Sequence, residues 1–480
     1  MYGLTNFAES CMGKALHQHW PAIVVITAVI AGALRPGPCR AQTPAPQADP
    51  QDFGLEVPTE GPLRLGDGRR LLVPGGATGS DNVAALLYFE MQDMRIVMMP
   101  DGRLTSFAAD KTQPTSQPFV ALKKEELAHR FAEKRFKGFK ARTTARYVYV
   151  YNTSEGFQKA TSRILETMFP AVAAYFKRQK LASTEPLVPL VVIMFRTEDE
   201  FQKYHRMPDG VVAYYSPVSN HVVMYEQSKL VEVAPELALK QSIGTIAHEG
   251  IHQILHNIGV QKRLSYWPIW IAEGLPEYFA PTSTDRRMRW KGVGTVNDMR
   301  MYELEEFLKR GTTTRGELVE KVVDAQQLSS TGYAVAWGLT HYLAATQREK
   351  FKAYLAAVSK IGPLETADGL SVRSNEKARE VFTKHFGNDW GKLEDGMLGH
   401  LQGLPYANPI ENQTHYVVML DTVGMRTAGV TASPAAIKKW QEQTLATVPP
   451  AVRARASFQV RPFPSRTTAE TFASQWLHAR

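Results

Sequence analysis

Two histidines one helical turn apart constrain this chain more than any other feature of its sequence. Residues 245–252 read Thr-Ile-Ala-His-Glu-Gly-Ile-His, which places His248 and His252 four positions apart. On a helix, these two side chains lie on the same face, where two imidazole nitrogens can bind one metal ion. Glu249 lies beside that face, a position suited to a general base. The segment therefore predicts a zinc site that can support hydrolysis.

A second segment offers the third ligand that a catalytic zinc needs. Glu273 lies in residues 270–279, Trp-Ile-Ala-Glu-Gly-Leu-Pro-Glu-Tyr-Phe, and its carboxylate can complete a site with an open fourth position. Glu249 would then take a proton from a zinc-bound water whose pKa the metal has lowered to about 7. A lone histidine is more often a core or surface residue, but this pair with its glutamates favours a metal. His256 continues the spacing yet has rotated away, so we interpret it as a helix-end residue.

The first metal segment is predicted to be one amphipathic helix over residues 236–258. Pro235 near its start and Gly259 after its end are typical of helix boundaries. Apolar residues recur there every three or four positions, as Ile243, Ala247, Ile251, Ile254 and Ile258. This stripe should face the core and so fix the direction of the histidine face.

The two metal segments resemble the gluzincin pattern, in which the third zinc ligand is the Glu of a Trp-x-x-Glu-Gly-x-x-x-Tyr segment. More narrowly, residues 63–401 are similar to a bacterial family called domain of unknown function 1570, regarded as a gluzincin-type peptidase domain. The resemblance implies a zinc metallopeptidase with His248, His252 and Glu273 as ligands and Glu249 as the base.

The chain departs from that pattern at two positions. Ala272 stands where the aminopeptidase-like gluzincins have Asn, and Pro276 interrupts the turn after the ligand, so exopeptidase specificity is not implied. A proline is tolerated only near a helix start, which predicts a short or bent helix around Glu273. Glu277 either hydrogen-bonds a ligand histidine or faces solvent.

The resemblance also implies a residue that stabilises the transition state. Gluzincins use a tyrosine downstream of the third ligand to donate a hydrogen bond to the developing oxyanion, and Tyr333 occupies a matching helical segment, residues 332–345. Alternatively, Tyr333, Trp337 and Tyr342 are core aromatic residues of that helix.

The N-terminal sequence predicts export. Lys14 precedes an apolar run over residues 21–34 that is too short to span a bilayer comfortably, and Cys39-Arg40-Ala41 resembles a cleavage site before Gln42. Pro38 before Cys39 does not fit a lipoprotein signal. We therefore expect a signal peptide over residues 1–41 and no transmembrane helix in the mature chain. The alternative is an uncleaved membrane anchor.

Cysteine content and charge narrow the class of protein further. Cys11 and Cys39 are the only cysteines and both lie in the leader, so the mature chain would have neither disulfides nor thiolate ligands. The net charge of +9 favours contact with anionic polymers of the cell wall or envelope. The most basic stretch, residues 123–146, is interpreted as a solvated helix. The chain has no nucleic-acid-binding motif. The resemblance to gluzincins implies that the partner is a peptide or protein substrate.

Patterning predicts an α+β fold, and the resemblance to gluzincins implies a zincin-like catalytic domain. A linker over residues 42–62 precedes a small β-rich module, 63–121. The metallopeptidase domain follows over residues 122–401. In it, strands near 146–151 and 187–195 and a hairpin over 211–225 form a mixed sheet before the metal helices and a mostly helical remainder. Such a strand beside the cleft could pair with an extended peptide.

Residues 402–480 are predicted to form an α+β tail. Part of it, 460–470, faintly resembles peptidoglycan-binding SPOR modules. Taken together, the sequence predicts an exported zinc-dependent peptidase that acts in the periplasm, the envelope or the medium. Two alternatives remain, which are a non-catalytic zinc-binding envelope protein and an amidase that uses the same site on peptidoglycan peptides.

Overall fold

The computed structural model describes most of the chain after residue 53. The described ranges are 54–58, 61–75, 82–181, 184–227, 235–283, 288–311, 313–365, 376–411, 413–422, 425–453 and 455–478. The predicted leader and most of the predicted linker therefore lie outside the described residues. No helix in the described part of the chain is both long and apolar enough to cross a membrane. The fold is α+β, as predicted.

An antiparallel sheet forms the N-terminal part of the structure. Its strands are β1 (Leu63–Leu65), β2 (Arg70–Pro74), β3 (Asn82–Met91), β4 (Met94–Met98), β5 (Leu104–Ala108) and β6 (Gln113–Pro114). The order is β5-β4-β3-β2-β6, and β1 also pairs with β3. Alternate residues of β3 are buried, as expected of a strand with one face on the core. Leu55 of the predicted linker is buried against this sheet.

A mixed sheet follows, and helices pack on both of its faces. Helix α1 (Lys124–His129) continues as a π-helical turn over Arg130–Arg135, so the helix expected over 123–146 is much shorter than predicted. The strands are β7 (Lys140–Thr143), β8 (Tyr147–Tyr151), β9 (Leu190–Thr197), β10 (Ala213–Ser216) and β11 (His221–Gln227), and the helices between them are α2 (Glu155–Arg178) and α3 (Glu198–Tyr204). The order is β10-β11-β9-β8-β7, with β8, β9 and β11 parallel.

Helices cover both faces of the mixed sheet, which explains why β8 is buried along its whole length. Tyr147 and Tyr149 pack into one core cluster with α2, whereas Val148 and Val150 pack into another with α1 and α3. The predicted hairpin is present, because β10 pairs antiparallel with β11. It leaves β10 at the edge of the sheet.

The part after the mixed sheet is largely helical, as predicted. It contains α4 (Pro235–Asn257), α5 (Ile269–Phe279), β12 (Thr282–Ser283), β13 (Arg289–Trp290), α6 (Asp298–Leu308), α7 (Glu317–Val323), α8 (Ser330–Thr346), α9 (Arg348–Val358), α10 (Glu376–Phe386) and α11 (Trp390–Gln402). The predicted stripe of α4 is fully buried, and Gly259 after its end has a φ of 79°, a left-handed conformation that glycine adopts without strain.

A buried arginine joins the N-terminal sheet to the region after α4. The Arg263 guanidinium donates hydrogen bonds to the carbonyl oxygens of Gly102, Pro217 and Val218, at 2.8, 2.6 and 2.7 Å. Gly102 follows β4, and the other two residues lie in the turn between β10 and β11. Tyr88 of β3 adds a hydrogen bond from its hydroxyl to the Arg263 carbonyl. The arginine therefore binds three chain segments together at one point.

The C-terminal residues form a smaller group of strands and helices. Its elements are β14 (His415–Thr422), β15 (Met425–Thr431), α12 (Pro434–Thr447), α13 (Pro450–Arg453), β16 (Ser457–Phe463) and α14 (Arg466–His478). The strand order is β15-β14-β16. Val417 and Met419 pack on Ala469 and Ala473 of α14, and Val418 and Leu420 on the opposite face are also buried.

Candidate metal centre

Helices α4 and α5 bring three predicted metal ligands together. His248 Nε2 lies 3.2 Å from His252 Nε2 and 3.1 Å from Glu273 Oε2, and His252 Nε2 lies 3.6 Å from the same oxygen. Each of the three residues is at most 2% exposed. One helical turn separates the histidines on α4, and α5 packs beside them, so helix geometry together with the packing of α5 on α4 accounts for the convergence. This buried group could hold a metal ion.

The spacing of the three donor atoms suits a small divalent cation. Tetrahedral ligands bound at 2.0–2.1 Å lie about 3.3 Å from one another, a value within the range of the separations above. Glu273 Oε1, the second oxygen of the candidate ligand carboxylate, is buried without a hydrogen-bond partner among the described residues, as expected of a site built around another group. Imidazole and carboxylate ligands also suit iron(II), so these three residues do not by themselves identify the metal as zinc.

The electrostatics of the site favour a positive charge. Burial lowers the pKa of His248, but its hydrogen bond to Glu273 and its ion-pair contact with Glu277 outweigh that effect and raise the pKa to about 10. Burial raises the pKa of Glu273, yet attraction to His252 and hydrogen bonds from both histidines hold it at about 2. The carboxylates therefore keep a proton on His248, and a bound cation would displace that proton.

Glu249 is held beside the ligands with one oxygen free. Its Oε2 accepts a hydrogen bond of 2.8 Å from the backbone N–H of Tyr215, in the edge strand β10. Its Oε1 has no hydrogen-bond partner among the described residues, and the side chain is fully buried. Burial raises the pKa of this carboxyl to about 8, although His248 opposes the shift. Sequence reasoning did not find the contact with Tyr215, because it joins positions 34 residues apart.

Tyr333 lies in α8 with its ring against the metal group. The ring centroids of Tyr333 and His248 are 6.2 Å apart at 63°, and Tyr333 is 3% exposed. Burial raises the pKa of its hydroxyl far above the ordinary value, so the phenol keeps its proton. Both predicted interpretations of Tyr333 therefore agree with its position, because it is a core aromatic residue that also borders the site. Trp337 and Tyr342 contact His341 and His400 instead.

Glu277 supports His248 from behind and does not face solvent. It is 4% exposed, and its Oε1 lies 3.1 Å from His248 Nδ1, in an ion-pair contact that is not aligned as a straight hydrogen bond. The same oxygen accepts a bond of 2.6 Å from Arg300, and Oε2 accepts one of 2.9 Å from Asn297. Of the two alternatives for Glu277, the structure favours contact with the ligand histidine.

Sequence reasoning missed both partners of Glu277 on α6. Asn297 is the residue before that helix, and its side-chain oxygen accepts from the N–H of Arg300, as an N-terminal cap does. An asparagine before a helical segment is a readable signal for a cap. The direction of the Arg300 side chain has no comparable signal, since it depends on how α6 packs against α5 and α8.

Two other predictions near the site are settled by the structure. His256 is buried, its Nδ1 lies 3.2 Å from the Gln261 carbonyl, and its ring stacks on Tyr215, so it is a helix-end residue outside the metal group. Helix α5 is short, at 11 residues, but it continues through Pro276 to Phe279, so the proline is not near the helix start. Every residue of α5 after Ile269 is buried, and this packing outweighs the backbone hydrogen bond that the proline removes.

Comparison with known proteins identifies one domain in this region. Residues 242–365, which are 124 of the 480, match the sequence model of a family described as "Protein of unknown function (DUF1570)". The predicted likeness to that family is confirmed over this range, which is narrower than the expected 63–401. The matched range includes all five predicted site residues, His248, Glu249, His252, Glu273 and Tyr333. None of the curated proteins matches the chain.

Proposed function

We propose that this protein is a zinc-dependent peptidase of the gluzincin type with a zincin-like catalytic domain. One observation carries the proposal. The buried group of His248, His252 and Glu273 lies next to a buried glutamate, Glu249, that has one oxygen free. A site built only to bind a metal would not need an additional buried carboxylate, which is costly to keep without full hydrogen bonding. The arrangement suits hydrolysis, in which water must lose a proton beside the metal.

Each side chain has a separate task in this proposal. His248, His252 and Glu273 would hold the ion. Zinc, when bound, would act as a Lewis acid that lowers the pKa of a water molecule and polarises a substrate carbonyl. Glu249, fixed by Tyr215 and kept ionised by the positive charge of the bound ion, would accept the proton of that water at Oε1 and pass it to the departing amine. Tyr333 would donate a hydrogen bond to the oxygen on which negative charge develops.

The neighbouring strand suggests how a peptide would be held. Strand β10 is at the edge of the mixed sheet, and its Tyr215 binds Glu249 through the backbone. An extended peptide that paired with such an edge would place a peptide bond near the general base. We further propose export through a leader at residues 1–41, with a linker at 42–62, modules at 63–121 and 122–401, and a tail at 402–480. N-terminal sequencing of protein from the envelope should begin near Gln42, and an intact Met1 would support a membrane anchor.

Metal analysis tests the ligand set. The purified protein should contain close to one zinc per chain, and His248→Ala or Glu273→Ala should lose most of it. His256→Gln is the matched control, because it removes a buried histidine from the same helix one turn beyond the ligands and should retain the metal. Full zinc content in Glu273→Ala would show that the third ligand is wrong.

Two further variants separate catalysis from metal binding. Glu249→Gln should keep the fold and the zinc while it loses about 10²–10⁴-fold in turnover, because the amide cannot accept the proton. Tyr333→Phe should lower turnover with little change in KM or melting temperature, since only the hydroxyl is removed. If Tyr333→Phe is fully active and Glu249→Gln is inactive, the hydrolase assignment stands but the oxyanion donor is another group.

A peptide-library assay tests the substrate class. Cleavage of library peptides or casein that a chelator abolishes would support the peptidase. Turnover of purified wall peptides but not casein would favour the amidase. A zinc-loaded protein that cleaves neither substrate would favour the non-catalytic zinc-binding alternative, and so would activity that Glu249→Gln leaves unchanged.

A further inference from the structure

Arg300 of α6 contacts both Glu277, which supports His248, and the ring of Tyr333. It is 8% exposed, and its guanidinium lies between two carboxylates, 2.6 Å from Glu277 Oε1 and 2.6 Å from Glu303 Oε2. The guanidinium carbon also lies 5.1 Å from the centroid of the Tyr333 ring, in a cation–π contact. One side chain therefore touches the support of a metal ligand and the ring of the proposed oxyanion donor.

The first contact bears on the metal ligands. Glu277 Oε1 faces both Arg300 and His248 Nδ1, and its Oε2 is bound by Asn297. The two donors from α6 fix the plane of this carboxylate. A fixed carboxylate behind Nδ1 sets the orientation of the imidazole and leaves Nε2 pointing at the metal position.

The second contact bears on Tyr333. The carboxylate of Glu303 accepts a hydrogen bond of 2.8 Å from the Ser330 hydroxyl, at the first residue of α8. Ser330 and Tyr333 are three positions apart, so they lie on the same side of that helix. Arg300 thus holds the start of α8 through Glu303 and holds the Tyr333 ring directly.

We propose that Arg300 is a positioning residue that sets the Tyr333 ring relative to His248, the ligand it supports through Glu277. The inference rests on the proposed function for the role of Tyr333 but not for the support of His248. A purely structural arginine that neutralises two buried acids would make the same ion pairs. It would not need contact with Tyr333, which borders the metal group.

The choice of variant follows from the shape of the side chain. Arg300→Lys keeps the charge that the two carboxylates need, so the fold should survive, but a single ammonium cannot span both acids and the ring as the planar fork does. The chain offers a matched control in Arg379, which binds Glu320 and Asp324 and lies 4.8 Å from the Trp390 ring, away from the metal group. Arg379→Lys removes the same kind of fork elsewhere.

The expected results are measured on the metal and on turnover. Arg300→Lys should weaken zinc binding about 10-fold or more in a chelator competition and change the visible spectrum of the Co²⁺-loaded protein, whereas Arg379→Lys should do neither. Turnover should fall with little change in KM. Added to Tyr333→Phe, Arg300→Lys should cost less than about twofold more in turnover, because the second change acts through a hydroxyl already lost.

Each outcome decides the inference. The inference would be overturned if a folded Arg300→Lys protein had the zinc affinity and the cobalt spectrum of the parent. It would also be overturned if the turnover losses of Arg300→Lys and Tyr333→Phe multiplied fully in the double variant. If Arg300→Lys does not fold, Glu277→Gln should weaken zinc binding and Glu303→Gln should lower turnover alone; a failure of either would overturn it. A parent that binds zinc but cleaves no peptide refutes the proposed function, while the zinc and cobalt measurements still test the support of His248. A parent that binds neither metal refutes both.

Discussion

Gly274 should be essential to the metal centre although it binds nothing. It follows Glu273 in α5 at the contact with α8, where an added Cβ would lie 2.3 Å from Thr340 Oγ1 and 2.7 Å from the Ala336 carbonyl oxygen. The Thr340 hydroxyl has no hydrogen-bond partner among the described residues and can rotate away. The backbone oxygen cannot move alone. Gly274→Ala must therefore separate the helices by about 0.7 Å, the difference between 2.7 Å and an ordinary contact of 3.4 Å.

Two opposing effects set the size of the change in stability. Overpacking a close helix contact costs about 1–3 kcal/mol, and alanine gains about 1 kcal/mol over glycine in a helix. We expect Gly274→Ala to lower the free energy of unfolding by up to about 2 kcal/mol. The same shift moves Glu273 relative to the histidines of α4, so zinc affinity should fall by about 10-fold.

Two other helical glycines serve as controls for the Gly274 prediction. Gly244 lies in α4 with nothing within 4 Å of an added Cβ, so Gly244→Ala should stabilise the protein by about 1 kcal/mol and keep zinc affinity. Alanine at position 250 would place its Cβ 2.3 Å from Leu165 Cδ2, the end of a flexible side chain. The effects of Gly250→Ala on stability and zinc affinity should therefore lie between those of Gly274→Ala and Gly244→Ala. Urea unfolding and chelator competition measure both quantities. A Gly274→Ala protein with parent stability and zinc affinity would refute the reasoning.

Three further predictions concern a buried histidine, a buried arginine and the metal. Burial lowers the pKa of His221 well below its ordinary value, so the stability that this neutral residue contributes should be lost below about pH 6.5, at up to about 1.4 kcal/mol per pH unit. In urea unfolding, His221→Phe should flatten the dependence of stability on pH. His129→Gln, at an exposed position, should not. Arg263→Lys should cost about 2–3 kcal/mol and speed hydrogen exchange of β4 more than of β8, and equal effects on both strands would count against it as a link. Removing zinc with a chelator should lower the melting temperature of the parent but not of His248→Ala, and equal shifts would contradict the assigned site.

The local features of the metal helix could be predicted from the sequence. The spacing of His248 and His252, the apolar stripe of α4 and Gly259 after its end depend on contacts within a few residues, which a sequence displays directly. The same holds for the alternation in β3 and for the apolar run Leu190–Phe195 of β9. The α+β fold and the helical remainder follow from these patterns.

Features set by packing between distant segments could not be predicted. The bond from Tyr215 to Glu249 and the contacts of Arg300 depend on how separate elements dock. Pro276 remains inside α5 because tertiary burial outweighs a local preference. Around Arg142 the sequence predicted a helix, but residues 140–143 form a strand because they pair with β8. In each case a partner distant in sequence decides the outcome.

The docking of α4 on the mixed sheet has a consequence for inheritance. One continuous core contains Tyr149 of β8, Ile251 of α4 and Leu401 of α11. The range that carries the family signature, 242–365, holds the ligands but not the sheet on which they are mounted. A gene fragment limited to that range would encode a metal helix with its apolar stripe open to water, prone to aggregate before it could bind an ion. For the candidate metal site to stay buried after a recombination event, the sheet and the helices would therefore have to be inherited together.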